Sequence, residues 1–337
     1  MEWSMMTTIA DIARIAGVAK STVSRFLNGG SVSEETKKKI ESIINETGYM
    51  PNTFAQSLKA KKTNIIGTIV PRLDSYATSR TLMGIDERLR ELNYHMLVSN
   101  TGQDLQREIE NIYTLAKQKA AGIILLATEV TDTHLKAFRE IDIPVLLVGQ
   151  QHEDVYSLIH DDKTAGYAIG KYVAQRGHKK IAFLGVGEYD VAVGIKRKQG
   201  VSQALLEHAE DVETRFFETT FNMTDAAAKA EQLFDEFSPS AVICATDNLA
   251  FGVMKAAYRK NLHVPQDLSI TGFGGYEVTA MMHPSLTTVH IHFKEAGQTA
   301  ADHIVKLIKG EEISKLTHSR FEIVLRESVD IRTDHLL

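Results

Sequence analysis

Two sets of side chains in this sequence have the types and spacing to do chemistry, and neither is a catalytic set. Within KSTVSRFLN, Lys20 and Arg25 can pair with phosphate or guanine, and the hydroxyls of Ser21, Thr22 and Ser24 can bond base edges or backbone oxygens. Farther along, polar residues gather just beyond apolar runs. Arg72, Asp74, Ser75, Tyr76 and Thr78 follow IIGTIV; Tyr189, Asp190 and then Arg197 follow KIAFLG; Asp247 and Asn248 follow AVICAT. A polar ring carrying an aromatic or two suits a sugar, because each hydroxyl needs a partner while the ring faces stack. Taken singly, any of these residues could instead cap a helix or sit in a surface loop.

Catalytic alternatives find little support. GFGG lacks the third spaced glycine of a dinucleotide fingerprint and follows the last strands instead of the first, and there is no GxxxxGK[ST] loop, GxSxG elbow or HExxH pair. His290 and His292 alternate along TTVHIH and have the types to bind metal, but half-exposed strand histidines explain the pair without one, so no metal is expected. The single cysteine, Cys244, sits in the apolar run AVICAT and is expected to pack as a small buried residue. No enzyme activity and no cofactor are expected.

The elements that must carry these residues fall into two styles. TIADIARIA places Ile9, Ile12, Ala13 and Ala16 at helical spacing and ends at Gly17; KSTVSRFLN then buries Val23, Phe26 and Leu27 while turning its polar residues outward. Two short helices joined by a glycine-containing turn make a helix-turn-helix pattern. A third helix follows, with Ser33 as its N-cap, acidic residues in its first turn and Gly48 past its end. The same pattern also fits the solvated face of an ordinary three-helix bundle.

From Asn64 onward apolar strands (IIGTIV, HMLVSN, GIILLA, PVLLVG, KIAFLG, AVICAT, LSITGF) alternate with amphipathic helical stretches, which predicts parallel sheets covered by helices on both faces. The series divides near His160-Asp161-Asp162 into two similar subdomains. Ligands of such sheets bind beyond the carboxyl ends of the strands, so a cleft between the two is the expected pocket.

Three stretches, TIADIARIAGVAKSTVSRFLN, VSEETKKKIESIINETGYMPN and AQSLK before an apolar strand, make the chain resemble the lactose/galactose-repressor (LacI) family along essentially its whole length. The resemblance implies an all-α helix-turn-helix DNA-binding domain plus an α/β periplasmic-binding-protein-like core of two doubly wound parallel-sheet subdomains, with crossovers near 161, 290 and 322. The expected bounds are 1–50 for the DNA-binding domain and 51–62 for a hinge helix and linker. The N-terminal sensor subdomain takes 63–161 and 291–321; the C-terminal one takes 162–290 and 322–337. It adds Thr8, Asn28 and Tyr49 to the DNA-contacting set. In the hinge it makes Leu58 a minor-groove wedge with Asn52, Ala55, Gln56 and Lys59 beside it; an apolar wedge unstacks a base step and bends the duplex. Leu58 as a buried residue at the domain border stays open.

RLDS, DVxxGxxR and CATDxLAxG are most similar to repressors of disaccharide operons that sense phosphorylated sugars. That likeness assigns Arg72 to a phosphate or acidic substituent, Asp190 and Arg197 to sugar hydroxyls, Thr246 or Asp247 to the cleft floor and Phe293 to stacking, with Ala127 and Val193 in the lining. Where many relatives carry an aspartate pair after the glycine-aromatic of LSITGF, this chain has Gly274-Gly275, compatible with a negative ligand or with one needing room. Sucrose or sucrose 6-phosphate is favoured over trehalose 6-phosphate as the effector. A non-regulatory sugar-binding protein is the alternative from another class.

Bulk properties agree. The 337 residues are 43% hydrophobic and 24% charged, as in a globular protein of two or three domains. The net charge of −5 is uneven: Met1 to Lys62 holds nine Lys/Arg against six Asp/Glu, and the rest 29 against 37. The basic sign sits where a polyanion would be met. MEWSMMTTIADIA lacks the regions of a signal peptide and no long uncharged apolar window exists, so a cytoplasmic, nucleoid-associated location without membrane is expected. The expected partners are operator DNA, a sugar or sugar-phosphate effector and a second copy in a homodimer, since no heptad helix follows SVDIRTDHLL. A phosphocarrier corepressor stays open, because some relatives use one.

Overall fold

The computed structural model describes residues 8–27, 30–49, 63–209 and 211–332. It forms two compact units, Met1–Thr63 and Asn64–Leu337.

In the first unit, α1 (Ile9–Ala16), α2 (Lys20–Leu27) and α3 (Glu34–Thr47) close around Ile12, Ala16, Val23, Ile40 and Ile43. The helix ends are set by local chemistry. Thr8 and Asp11 make a capping box, Gly17 adopts the left-handed conformation with its N–H on the carbonyls of Ala13 and Arg14, and the Ser33 hydroxyl accepts from the Thr36 N–H.

The second unit has two lobes. The first begins with β1 (Ile65–Val70), α4 (Tyr76–Glu91), β2 (His95–Asn100), α5 (Leu105–Lys117), β3 (Gly122–Leu126), α6 (Asp132–Glu140), β4 (Val145–Val148) and β5 (Tyr156–His160). The second lobe takes over with α7 (Asp162–Ala174), β6 (Lys180–Val186) and a π-helical turn, Val191–Lys196, that runs into α8 (Arg197–His208). It continues through β7 (Glu213–Thr219), α9 (Met223–Phe237), β8 (Ala241–Cys244), α10 (Asp247–Arg259), β9 (Ser269–Gly274), α11 (Val278–Met281) and β10 (Thr287–Ile291). The chain then returns to the first lobe as α12 (Phe293–Lys309) and β11 (Leu316–Ser319), and crosses again into β12 (Phe321–Val324).

The first sheet has the order β11-β5-β4-β3-β1-β2 and is parallel throughout; the second has the order β12-β10-β9-β8-β6-β7. One strand departs from the all-parallel expectation: β12 runs antiparallel to β10 at the sheet edge, because it enters directly from β11 without a helical crossover. Central strands such as β3, β4 and β8 are buried along their whole length, as expected for sheets covered on both faces. Helices α4 and α12 meet backbone to backbone at Gly84 and Gly297, where an added Cβ would fall 1.9 Å from the Lys294 carbonyl oxygen and 2.1 Å from that of Thr81. This contact seats the returning helix on the first lobe.

Candidate effector cavity and nucleic-acid face

The carboxyl ends of both sheets open on one cavity of about 160 Å³, and nearly every strand end contributes to its lining. From the first lobe come Arg72, Ser75, Tyr76 and Thr78 after β1, Gln103 after β2, Ala127 and Thr128 after β3, Gln150 after β4 and His160 at the end of β5. The second lobe supplies Asp162, Asp190, Val193, Arg197, Phe221, Thr246, Gly274 and Tyr276, and Phe293 follows β10.

The polar core of the site belongs to the second lobe. Arg197 Nε donates to Asp162 Oδ1 at 2.8 Å and its Nη1 to the Ala245 carbonyl at 2.6 Å, with the guanidinium 4.8 Å from the Phe273 ring centre. Both charged side chains are withdrawn from solvent, at 6% and 1% exposure. The Asp190 carboxylate caps the π-helical turn by accepting from the Val193 N–H at 3.0 Å, and burial raises its pKa. Burial pushes His160 down to about 4, so at neutral pH it is an uncharged ring, bonded to the Ser319 hydroxyl and edge-on to Phe293.

Several contacts cross the cleft. Tyr76 stacks on Tyr276 with ring centres 3.8 Å apart, Arg80 pairs with Glu277 at 2.8 Å, and the Arg72 guanidinium lies 4.5 Å from the Phe221 ring centre. Among the described residues the carboxylate nearest in pairing to Arg72 is that of Asp74, at a loose 3.7 Å.

Three residues expected in the site lie outside the lining. The Asp74 side chain is 82% exposed, and Tyr189, in the loop after β6, is 55% exposed. A loop that turns Arg72 and Ser75 inward cannot aim every neighbour the same way. Asp247 is fully buried beneath the floor, accepting from the Thr288 hydroxyl at 2.6 Å and the Tyr276 N–H at 2.8 Å; burial raises its pKa to about 6. It positions Tyr276 and does not face the cavity. At Gly274-Gly275 an added Cβ would meet the Tyr276 ring at 2.3 Å or His290 Nδ1 at 2.0 Å, so the packing there excludes the side chains that an aspartate pair would bring.

In the first unit, Lys20, Ser21 and Arg25 are exposed on α2, while Thr22 and Ser24 are half-buried. The Thr8 hydroxyl is used in the capping box, 2.7 Å from Asp11 Oδ2, and Tyr49 packs half-buried against the three-helix core. Asn28, Asn52, Ala55, Gln56, Leu58 and Lys59 lie outside the described residues. Gln103, Thr128, Gln150, His160, Asp162, Phe221 and Tyr276 were not anticipated as lining; a systematic reading of every strand end would have reached Thr128 and Gln150.

A helix-turn-helix unit with exposed Lys20 and Arg25 and a separate two-lobed core of crossover-linked sheets define the class of DNA-binding transcriptional regulators with a binding-protein-like core. Residues 8–52 match the model of bacterial regulatory proteins, lacI family, and residues 171–329 that of the periplasmic binding protein-like domain. The chain is 41% identical to the sucrose operon repressor of Staphylococcus xylosus over 313 residues, covering 92% of this chain and 96% of that one. It is 31% identical to the HTH-type transcriptional repressor PurR of Vibrio atlanticus (strain LGP32), covering 96% and 99%. A crystal structure of the lac repressor dimer bound to operator and the anti-inducer ONPF superposes with a TM-score of 0.89 at 25% identity, covering 97% of this chain and all of that one. The chain belongs to the LacI family of transcriptional repressors, whose members are DNA-binding regulators and not enzymes. Among the described residues no helix is long and apolar enough to cross a membrane.

Proposed function

We propose that the protein represses a sugar-utilisation operon as a homodimer on a palindromic operator, and that a phosphorylated disaccharide, sucrose 6-phosphate first among them, releases it. The observation that carries the effector class is the division of labour between the cavity's two arginines. Arg197 is committed to Asp162 and the Ala245 carbonyl and sets a fixed frame, whereas Arg72 at the rim has only a distant carboxylate partner and a polarisable ring beneath it. A guanidinium so placed suits bidentate pairing with a phosphate. Asp190, the free N–H groups of Arg197 and Thr246 take sugar hydroxyls, and Phe293 and Tyr76 supply apolar walls. The 41% identity to a sucrose operon repressor favours a sucrose skeleton over a trehalose one.

Occupancy of the cleft alters the angle between the lobes, and this change lowers operator affinity in the paired heads. Nearly complete switching requires the ligand to prefer the non-binding state by about 5.5 kcal/mol. Leu58, Asn52, Ala55, Gln56 and Lys59 are proposed to join the α2 face in contacting the operator. Electrophoretic titration of operator complexes with sucrose 6-phosphate, sucrose and trehalose 6-phosphate tests the reading. Sucrose 6-phosphate should dissociate the complex at the lowest concentration; retention of the complex at saturating levels of all three would overturn it.

A further inference from the structure

Outside the effector cavity, one cluster has the chemistry of a transition-metal site. His290 and His292 lie two residues apart on the same side of β10 and its extension, and the antiparallel partner β12 brings Glu322 opposite His290. One ligand atom from each of the three lies within 4.8 Å of the other two. The two imidazole rings stand edge to face with centres 4.7 Å apart. Sequence spacing alone offered two strand histidines; the carboxylate arrives only through the β10–β12 pairing.

The surrounding groups are arranged as metal sites arrange their outer partners. His290 Nδ1 lies 3.2 Å from the Gly275 carbonyl oxygen, which can only accept, so Nδ1 carries the proton and Nε2 keeps its lone pair. His292 Nδ1 lies 3.4 Å from Glu295 Oε1, and its Nε2 faces Glu322 at 3.8 Å. A carbonyl behind one imidazole and a carboxylate behind the other are the acceptors that fix tautomer and ring direction in histidine-ligated metal centres. Two of the nearby cations are engaged elsewhere: Arg80 pairs with Glu277 at 2.8 Å and Lys294 with Glu87 at 2.9 Å.

We propose that His290, His292 and Glu322 bind a divalent transition metal of the zinc type, with water in the fourth position and Glu295 orienting His292. Two imidazoles and a carboxylate are a borderline donor set that suits Zn²⁺ better than Mg²⁺ or Ca²⁺, which take oxygen ligands. Tetrahedral ligands at zinc stand roughly 3.4 Å apart, so separations of up to 4.8 Å must close by as much as roughly 1.4 Å. Glu322, 62% exposed, can supply part of that movement by side-chain rotation. The site sits on β10 and β12, which enter or leave two of the three crossovers between the lobes, so a bound ion ties both crossovers together.

The test is titration of the chelator-stripped full chain with Zn²⁺ against a chromophoric competitor, with thermal melting in parallel. Cys244 is fully buried and does not compete. The expected result is one equivalent per chain in the micromolar range or tighter, with a rise in Tm because the ion binds the folded form. Glu322→Gln and His292→Gln, both at solvent-accessible positions, should each weaken binding by at least tenfold, and Glu295→Gln by about tenfold, the usual effect of an outer partner. Mg²⁺ should not compete. Absence of stoichiometric Zn²⁺ binding, or binding equally tight in Glu322→Gln and His292→Gln chains of normal melting behaviour, would overturn the proposal.

Discussion

The two lobes share a strand order, apart from the antiparallel β12, but hold their polar residues differently. In the second lobe the arginine facing the cavity is locked: Arg197 is bonded to a buried carboxylate and a carbonyl and lies against Phe273. In the first lobe Arg72 is about a quarter exposed and rests on a ring from the opposite lobe. One wall is a preformed polar frame and the other carries a cation that, among the described residues, has a carboxylate no nearer than 3.7 Å, the one proposed to meet an anionic ligand. The difference shows that charge in a ligand site can serve architecture or recognition, and that burial and existing partners decide between them.

This contrast can be broken first in the second lobe. Asp162→Ala leaves the Arg197 guanidinium buried without its carboxylate, a loss of about 3–5 kcal/mol in urea-unfolding stability. An effect below about 1 kcal/mol would mean that the frame is not fixed by this pair. His160 gives the next effect, through pH. Its pKa falls from 6.5 unfolded to about 4 folded, so the unfolded chain takes a proton first and stability is lost as pH drops through that window. Relative to wild type, His160→Gln should therefore gain stability steadily between pH 6.5 and pH 4, by about 3 kcal/mol in all. A difference that does not change with pH would show that the ring is not held neutral. Tyr76→Leu removes the stack on Tyr276 and should cost about 1 kcal/mol beyond lost area, read by unfolding of the isolated substitution. Arg72→Ala comes last on this scale: its stability should change by less than about 0.5 kcal/mol, while sugar-phosphate affinity falls by about tenfold or more.

Much of the fold was legible because local chemistry and tertiary structure agree. Gly17, Ser33 and Gly48 bound their helices as the capping pattern predicts, whereas Thr8 proved to be an N-cap; of the apolar runs, all but HMLVSN, an edge strand, stand in the sheet interiors. ETRFFET, YSLIH, LTHS and FEIV were not singled out as strands. ETRFFET is an edge strand with no fully buried residue, and LTHS and FEIV have only four residues each. These strands take their stability from pairing across long sequence separations, which no local pattern displays.

In the cavity lining, Arg72, Asp190 and Arg197 were legible from their place after strand ends, and Phe293 from the family resemblance. His160 and Asp162 were seen only as a boundary between subdomains, because their role depends on Ser319 and Arg197, distant in the chain. Asp74, Tyr189 and Asp247 share loops with lining residues, and only three-dimensional direction separates them. Tyr276 follows the same logic: its ring is carried into the cleft by the left-handed Gly275 and held by Asp247.

The central claim is that the cleft takes a phosphorylated disaccharide through Arg72. Calorimetric titration of wild-type and Arg72→Ala chains with sucrose 6-phosphate and with sucrose tests it most directly. The account predicts that wild type prefers the phosphorylated sugar by at least tenfold and that Arg72→Ala binds the two alike with its affinity for sucrose retained; an undiminished preference in the variant would contradict it.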